Sequence, residues 1–191
     1  MVYTAGSTWN YQQVNNTPPT GTSLYTVTST SRDSTINSKT YHVFTNSNTG
    51  ASEYYNNTGA DYYTFQKLPD ALGGEKVENL YLKDNAALNT TWIQTYNISF
   101  SGLPLAVTTT NKIKETGITK TVNGINYTGV IHVETSISVA GIPASALTTD
   151  IQSYYAPRKG LIQNSNIVHL NYLGVVNDSN VQTNLMSATI L

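Results

Sequence analysis

The residues best suited to acid–base or metal chemistry are few and scattered in this sequence. Its three histidines, His42, His132 and His169, form no HxH or HExxH motif. His132 and Glu134 would point to the same side of one strand, but two ligands do not complete a metal site. No GxSxG elbow, P-loop or dinucleotide fingerprint is present. We therefore predict no metal, no cofactor and no enzymatic activity; the enzymatic alternative is a hydrolase that uses Glu134 or Asp61 in a pocket.

Two of the ten Lys and Arg residues are adjacent, in the segment SYYAPRKGLIQNS (153–165). Both flanks have the residue types of strands, and Pro157 cannot donate to a strand ladder. Gly160 can adopt a positive φ, so the segment PRKG is predicted to be a tight turn. Arg158 and Lys159 would then be solvated charges, although Arg158 could also stand beside the polar end of a ligand.

Tyrosine is unusually common, with 14 Tyr against three Phe. The stretch EYYNNTGADYYTF (53–65) carries two Tyr pairs on either side of a turn, so each pair places one ring on each face of its strand. Exposed rings at Tyr54, Tyr55, Tyr62 and Tyr63 would suit sugar stacking. The alternative is that Tyr is simply a favourable strand residue whose amphipathic ring fits the rim of a sheet.

Composition excludes several classes of function. Charged residues are 11% of the chain, against about 25% in ordinary soluble proteins. A net charge of -1 without a basic stripe makes nucleic acid a poor partner. The absence of Cys removes disulfides and thiolate chemistry, and no apolar run is long enough for a transmembrane helix. The balance of Thr, Asn and Tyr suits a secreted or cell-envelope protein, whose signal segment we expect to be absent from this chain.

Almost every segment alternates with period two, which predicts an all-β protein. Turn chemistry at TNSNTGA (45–51), NNTG (56–59), SGLP (101–104) and VNGI (122–125) predicts short joins between antiparallel neighbours, hence a meander. We expect short helical flaps at LPDALGGEKVE (68–78) and VAGIPASALTTD (139–150), and a single domain over 1–191. The predicted strands lie near 7–14, 22–32, 38–46, 51–57, 60–67, 77–83, 90–101, 104–115, 118–122, 125–139, 148–156, 160–173 and 181–190.

Strand alternation also predicts which faces are apolar. In TTWIQTYNISF, Trp92, Tyr96 and Ile98 lie on one side together with Gln94 and Phe100. The segment 125–139 divides in the same way into an apolar side and a polar side. A long twisted sheet of this kind must cover its apolar face by curling into a barrel, packing on a second sheet or holding a ligand.

The sequence contains the motifs STWNYQ (7–12), INSKTYHVF (36–44), GADYYTF (59–65), YLKDNAALNTTW (81–92) and SYYAPRKGLIQ (153–163). Together they resemble a family of bacterial cell-envelope lipoproteins in which a Tyr-Tyr/Phe-Ala-Pro/Lys-x-x-Gly-Leu-Val/Ile segment recurs near the C-terminus. The resemblance implies a strongly curved antiparallel sheet, in a half-open barrel similar to that of the Lol-type lipoprotein carriers. It also implies export with an N-terminal lipid anchor, to the periplasm or in association with the outer membrane. The lipobox Cys of such anchors is absent from this sequence.

These observations favour a non-enzymatic envelope protein whose curved sheet binds a lipid or another hydrophobic molecule in its concave face. Burying about twelve methylenes at roughly 0.8 kcal/mol each would contribute on the order of 10 kcal/mol before the costs of binding. The alternative is a surface module that binds glycans or has a structural role. The residues predicted to contact the ligand are Trp9, Trp92, Tyr96, Tyr127, Tyr155 and Arg158.

Overall fold

The computed structural model describes residues 4–67, 76–100 and 103–191. Within these ranges the protein is all-β and contains no helix. Twelve strands run along the chain: β1 (Thr8–Asn15), β2 (Gly21–Ile36), β3 (Lys39–Asn46), β4 (Ser52–Thr58), β5 (Asp61–Lys67), β6 (Lys76–Lys83), β7 (Thr91–Phe100), β8 (Leu103–Val122), β9 (Ile125–Val139), β10 (Leu147–Ala156), β11 (Gly160–Tyr172) and β12 (Val175–Thr189).

All twelve strands belong to one antiparallel sheet in the order β6-β5-β4-β3-β2-β1-β12-β11-β10-β9-β8-β7. Neighbours in the sheet are neighbours in sequence except at the pair β1–β12, which joins the two halves of the chain. The two edge strands, β6 and β7, come into contact. The sheet is therefore a nearly closed barrel, and the predicted all-β meander is confirmed.

The predicted helical flaps are wrong where the structure describes them. Residues 140–146 form turns between β9 and β10, closed by the bonds from Ile142 N–H to Val139 O and from Ala146 N–H to Pro143 O. Pro143 has no N–H to donate, and Gly141, two residues earlier, takes a positive φ of 85° that interrupts a right-handed helix. Residues 68–75 of the other segment lie outside the described residues, and the rest of it is the start of β6.

Two strand predictions also change. The separate strands near 104–115 and 118–122 are one continuous strand, β8, whose register against β9 shifts between Ile113 and Lys120. Bulges of this kind break the period-two pattern without ending the strand. β12 starts at Val175 rather than near 181.

The predicted turns at VNGI and PRKG are confirmed. Asn123 and Gly124 have φ values of 49° and 77°, as a two-residue hairpin turn requires. In the second turn Gly160 has a φ of 69°, and Arg158 also takes a positive φ, of 63°. The PRKG segment thus joins β10 to β11 through two left-handed residues.

The long β8–β9 hairpin covers one end of the barrel. Val122 and Val130, near its tip, pack in one buried cluster with Trp9, Ile162 and Leu185. Asn123 Nδ2 in the turn donates to the main-chain oxygen of Leu185 at 2.9 Å. The bulges in β8 bend the hairpin so that its tip reaches β12.

Side chains join the two edge strands. The Leu80 N–H of β6 donates to Gln94 Oε1 of β7 at 2.8 Å, and the indole N–H of Trp92 donates to Leu80 O at 2.8 Å. Gln94 Nε2 donates to Glu78 O at 3.4 Å. These bonds satisfy main-chain groups of β6 that an open sheet edge would leave unpaired. We call this line of contact the seam.

No helix in the described part of the chain is long and apolar enough to cross a membrane.

Candidate functional site

The barrel encloses a cavity of about 580 Å³, within the range typical of small-molecule sites. Among the described residues, eleven of the twelve strands, all except β12, contribute to the lining. The lining follows from strand alternation, because every second side chain of a curved sheet faces inward. The concave side is thus partly hollow rather than filled by its own side chains.

A continuous row of aromatic rings lines one side of this cavity. We call this row the aromatic floor. Its neighbouring ring centroids are separated by 5.7 Å (Trp9–Phe44), 5.0 Å (Phe44–Tyr55), 6.2 Å (Tyr55–Tyr81) and 5.5 Å (Tyr81–Tyr155). The indole N–H of Trp9 is satisfied by Lys159 O at 2.9 Å. The row therefore spans the barrel from β1 to β10 as a packed unit.

Burial keeps the cavity tyrosines protonated. It raises the pKa of Tyr155 to about 12. Burial, and to a smaller extent the negative charge of Glu53, raises the pKa of Tyr25 to about 12. Burial, with smaller contributions from neighbours including Glu53, raises the pKa of Tyr11 and of Tyr55 well above the ordinary value. At neutral pH these phenols are uncharged hydrogen-bonding groups.

Glu53 is the charged side chain of the described cavity lining. Its Oε1 accepts a hydrogen bond from Asn46 Nδ2 at 2.6 Å, and its Oε2 accepts one from the Tyr55 hydroxyl at 2.9 Å. Both donors are neutral, and Glu53 forms no ion pair with a described Lys, Arg or His. The cavity therefore contains a carboxylate without a cationic partner from the described residues.

Two polar atoms of the lining lack partners. Asn111 Nδ2 and Asn166 Oδ1 are buried and form no hydrogen bond in the described structure. Asn111 is 3% exposed, and its own Oδ1 accepts a bond from Thr135 Oγ1 at 2.6 Å. A buried donor or acceptor without a partner is costly, so these two atoms are positions where a bound molecule would gain hydrogen bonds.

An apolar cluster adjoins the cavity on the side of β7 to β11. Its buried members are Ile98, Val107, Val139, Leu147 and Leu170. Tyr96, Ile137 and Val168 pack against this cluster and also line the cavity. The cavity is thus amphipathic, with the aromatic floor and polar groups on one part and aliphatic surface on another.

Three of the six predicted ligand residues line the cavity: Trp9, Tyr96 and Tyr155. Trp92 faces inward as predicted, but it is buried in a separate cluster with Leu82, Ile113 and Val133, and its indole N–H belongs to the seam. Its role is therefore in the wall of the barrel.

The other two predicted residues lie away from the main cavity. Tyr127 packs half-buried against the cluster at the covered end of the barrel. Arg158 is exposed and borders a second cavity of about 310 Å³, whose lining includes Tyr62 and Asp84. Tyr81 and Tyr155 line both cavities, so the aromatic floor separates the two spaces.

The predicted ligand residues do not include Glu53, Asn111 or Asn166, all of which line the cavity. Each follows from alternation once its strand is assigned, because inward positions recur every two residues. Glu53 matters because the described lining gives it no countercharge, and Asn111 and Asn166 matter because Asn111 Nδ2 and Asn166 Oδ1 have no hydrogen-bond partner. Both properties depend on strands that are distant in sequence.

The carboxylates of the alternative hydrolase prediction lie outside the main cavity lining. Asp61 pairs with Lys83 at 2.9 Å and Glu134 pairs with Lys114 at 3.3 Å. His132 stacks on Tyr154 with ring centroids 4.2 Å apart, and its ring nitrogens contact Glu115 and Gln152. Within the described residues no group of three His, Cys, Asp or Glu side chains could hold a metal ion.

The four tyrosines of the predicted sugar platform do not share one surface. Tyr55 lines the main cavity, and Tyr62 borders the second cavity and donates to Asp84 Oδ2 at 2.8 Å. Tyr54 and Tyr63 alternate to the opposite face, where Lys39 Nζ lies 3.1 Å from the centre of the Tyr63 ring.

Comparison with known proteins shows that this chain is similar in fold to a solved structure. No protein-family model matches the sequence, and no curated protein matches it significantly. The chain is similar to the crystal structure of a Parabacteroides distasonis protein described as a lipoprotein, with a TM-score of 0.52 and 12% identity, over 98% of this chain and 96% of that one. The resemblance predicted from the sequence motifs is confirmed at the level of the fold.

A second solved structure is a domain described as belonging to an outer membrane lipoprotein-sorting protein of Vibrio parahaemolyticus. It aligns with 96% of this chain and 84% of that one, at 10% identity and a TM-score of 0.25. This TM-score is too low to bear on the fold.

Proposed function

We propose that this protein is a non-enzymatic protein of the bacterial cell envelope that binds a small amphiphilic molecule inside its barrel. The observation that carries the proposal is the amphipathic cavity of about 580 Å³. An aliphatic part of a ligand would pack beside Ile137 and Val168, and a polar part would lie near the aromatic floor.

The lining refines the chemistry expected of the ligand. A purely hydrocarbon molecule would cover neutral polar side chains such as Thr109, Asn111 and Thr135 without giving them hydrogen bonds, and this is unfavourable. A ligand with a polar group avoids that cost while burying its apolar part at about 25 cal/mol per Å². The predicted hydrophobic ligand is therefore better described as an amphiphile.

Placement in the cell envelope is supported by composition and by fold. The chain has 11% charged residues and no Cys, and its fold is similar to that of a protein described as a lipoprotein. The predicted periplasmic or outer-membrane location belongs to this proposal, as does the single-domain organisation of residues 1–191.

The cavity can be tested by filling it. Thr109 faces inward and is buried, whereas Thr108 is the next residue on the same strand and faces outward. We expect Thr109→Phe to abolish binding of the neutral fluorescent amphiphile N-phenylnaphthylamine, and Thr108→Phe to leave it intact. Native mass spectrometry of the protein from its own cells should show a bound amphiphile. Equal dye binding by both variants would contradict the proposed site.

A further inference from the structure

We propose that the ligand carries a positively charged ammonium group, bound by the Glu53 carboxylate and the aromatic rings around it. The inference rests on the proposed function and names the chemical class of the polar end of the amphiphile.

The first argument is charge. Glu53 is half-buried in the cavity, and its hydrogen-bond donors, Asn46 and Tyr55, are neutral. Buried charges are normally paired with opposite charges, but the described lining contains no Lys, Arg or His. A cationic ligand group would supply the missing countercharge.

The second argument is the chemistry of the surrounding rings. The Tyr55 hydroxyl donates to Glu53, and the Tyr55 ring contacts Phe44 and Tyr81 in the aromatic floor. Tyr25, a further cavity-lining ring, stacks on Tyr11 at 5.4 Å. Faces of aromatic rings attract ammonium and quaternary ammonium groups. A carboxylate beside several rings thus offers a cation both a charge and a desolvated surface.

A third observation, independent of Glu53, concerns a neutral part of the same ligand. Thr135 Oγ1 donates to Asn111 Oδ1 and so orients the amide, which leaves Asn111 Nδ2 as a buried donor without an acceptor. Asn166 Oδ1 is a buried acceptor without a donor in the same cavity. These atoms would bond a neutral polar group of the ligand, such as an ester, amide or hydroxyl, elsewhere along the molecule.

The same arrangement disfavours an anionic headgroup. A carboxylate or sulfate in the cavity would face Glu53 and find neutral donors only among the described lining residues. Like charges in a partly desolvated space repel strongly. The expected order of affinity among ligands with equal tails is therefore ammonium, then neutral, then anionic.

The test compares three probes with the same dodecyl-length chain, each below its micellar concentration: dodecyltrimethylammonium, lauroylglycerol and laurate. Calorimetry measures affinity, and the fluorescence of Trp9, recorded in a Trp92→Phe background because Trp92 also emits, reports on the aromatic floor. We expect the ammonium probe to bind at least about tenfold more tightly than laurate. Equal affinities in the unaltered protein would overturn this inference while leaving the proposed function intact. Failure of all three to bind would contradict both.

A variant localises the preference. Glu53→Gln keeps the size of the side chain and removes its charge, so we expect binding of dodecyltrimethylammonium to weaken about tenfold and binding of lauroylglycerol to change less than about twofold. Glu134→Gln, on the opposite face of the sheet, is the matched control and should change neither. An unchanged ammonium affinity in folded Glu53→Gln would refute the role of Glu53; the probe comparison in the unaltered protein remains decisive if that variant does not fold.

Discussion

Ser29, His42 and Asp33 form a hydrogen-bonded row that has the composition of a hydrolase triad. Ser29 Oγ lies 3.0 Å from His42 Nε2, and His42 Nδ1 lies 2.9 Å from Asp33 Oδ1. In a hydrolase the serine must meet the substrate and the aspartate is buried. Here Ser29 is 1% exposed, whereas the Asp33 side chain is 62% exposed. We interpret the row as structural, because it links β2 to β3 where their register shifts.

This interpretation predicts that Ser29 is chemically inert. A fluorophosphonate probe should not label the folded protein, because the Ser29 hydroxyl is covered. Ser29→Ala should lower the free energy of unfolding by about 1–2 kcal/mol, because it removes a buried hydrogen-bond partner. Urea unfolding measures the change, and Ser31→Ala, at an exposed position of the same strand, is the control. Labelling that disappears in Ser29→Ala would instead indicate a nucleophile.

Residue types alone indicated part of the site. The sequence predicts Trp9, Tyr96 and Tyr155 as ligand residues, and all three line the cavity. Arg158 is predicted to stand beside the polar end of a ligand, but the turn places it at the second cavity. Glu53 is not among the predicted ligand residues, because its significance arises from what surrounds it in space.

At the scale of elements, the seam shows how a sheet of this size can nearly close without a final ladder. Edge strands normally expose main-chain groups that invite pairing with other chains. Here the side chains of Gln94 and Trp92 bond main-chain groups of Glu78 and Leu80. The seam can therefore keep β6 and β7 together with side-chain contacts in place of backbone pairing.

The seam predicts a local effect of Gln94→Met, which preserves volume and removes the hydrogen bonds. We expect a loss of about 1–2 kcal/mol in the free energy of unfolding, because the Leu80 N–H would lose its acceptor. Hydrogen exchange measured by NMR should accelerate selectively at the Leu80 amide. Thr95→Val, on the exposed face of the same strand, should leave that exchange rate unchanged. Uniform acceleration across the sheet would show that Gln94 affects global rather than seam stability.

The elements themselves were largely predictable because local pattern determines them. Period-two alternation located most strands to within a few residues, and the Asn123–Gly124 pair located a hairpin turn. The errors fall where the pattern is broken, at the bulges of β8 and in the 140–146 connection. Closure through β1 and β12, which lie at opposite ends of the chain, is not encoded in any local pattern.

At the scale of the whole molecule, charge and polarity are distributed unequally between the two sides of the sheet. Ion pairs such as Lys83–Asp61 and Lys114–Glu134 lie outside the main cavity lining. Most polar groups that line the cavity are instead neutral, and they include tyrosine hydroxyls and the side-chain amides of Asn and Gln. A barrel whose interior polarity comes largely from buried phenols should be sensitive to conditions that ionise tyrosine.

Stability should therefore fall at alkaline pH. The ordinary tyrosine pKa is 10.0, and burial raises that of Tyr155 to about 12. The folded state holds this proton more tightly than the unfolded state, so the contribution is fully present below about pH 10 and is lost as the pH rises through about 12. Tyr25, whose pKa burial likewise raises to about 12, adds to the effect. We expect the free energy of unfolding, measured by urea titration at successive pH values, to decline across this window.

Tyr155→Phe separates this linkage from general alkaline damage. Removing one phenol should reduce the decline between pH 10 and 12 by on the order of 2 kcal/mol. Ile162→Val is the control, because Ile162 is fully buried and does not titrate. It should lower stability by about 1 kcal/mol at every pH and leave the slope unchanged. Parallel curves for the unaltered protein and Tyr155→Phe would mean that ionisation of this phenol does not limit stability, and that another process unfolds the barrel in alkali.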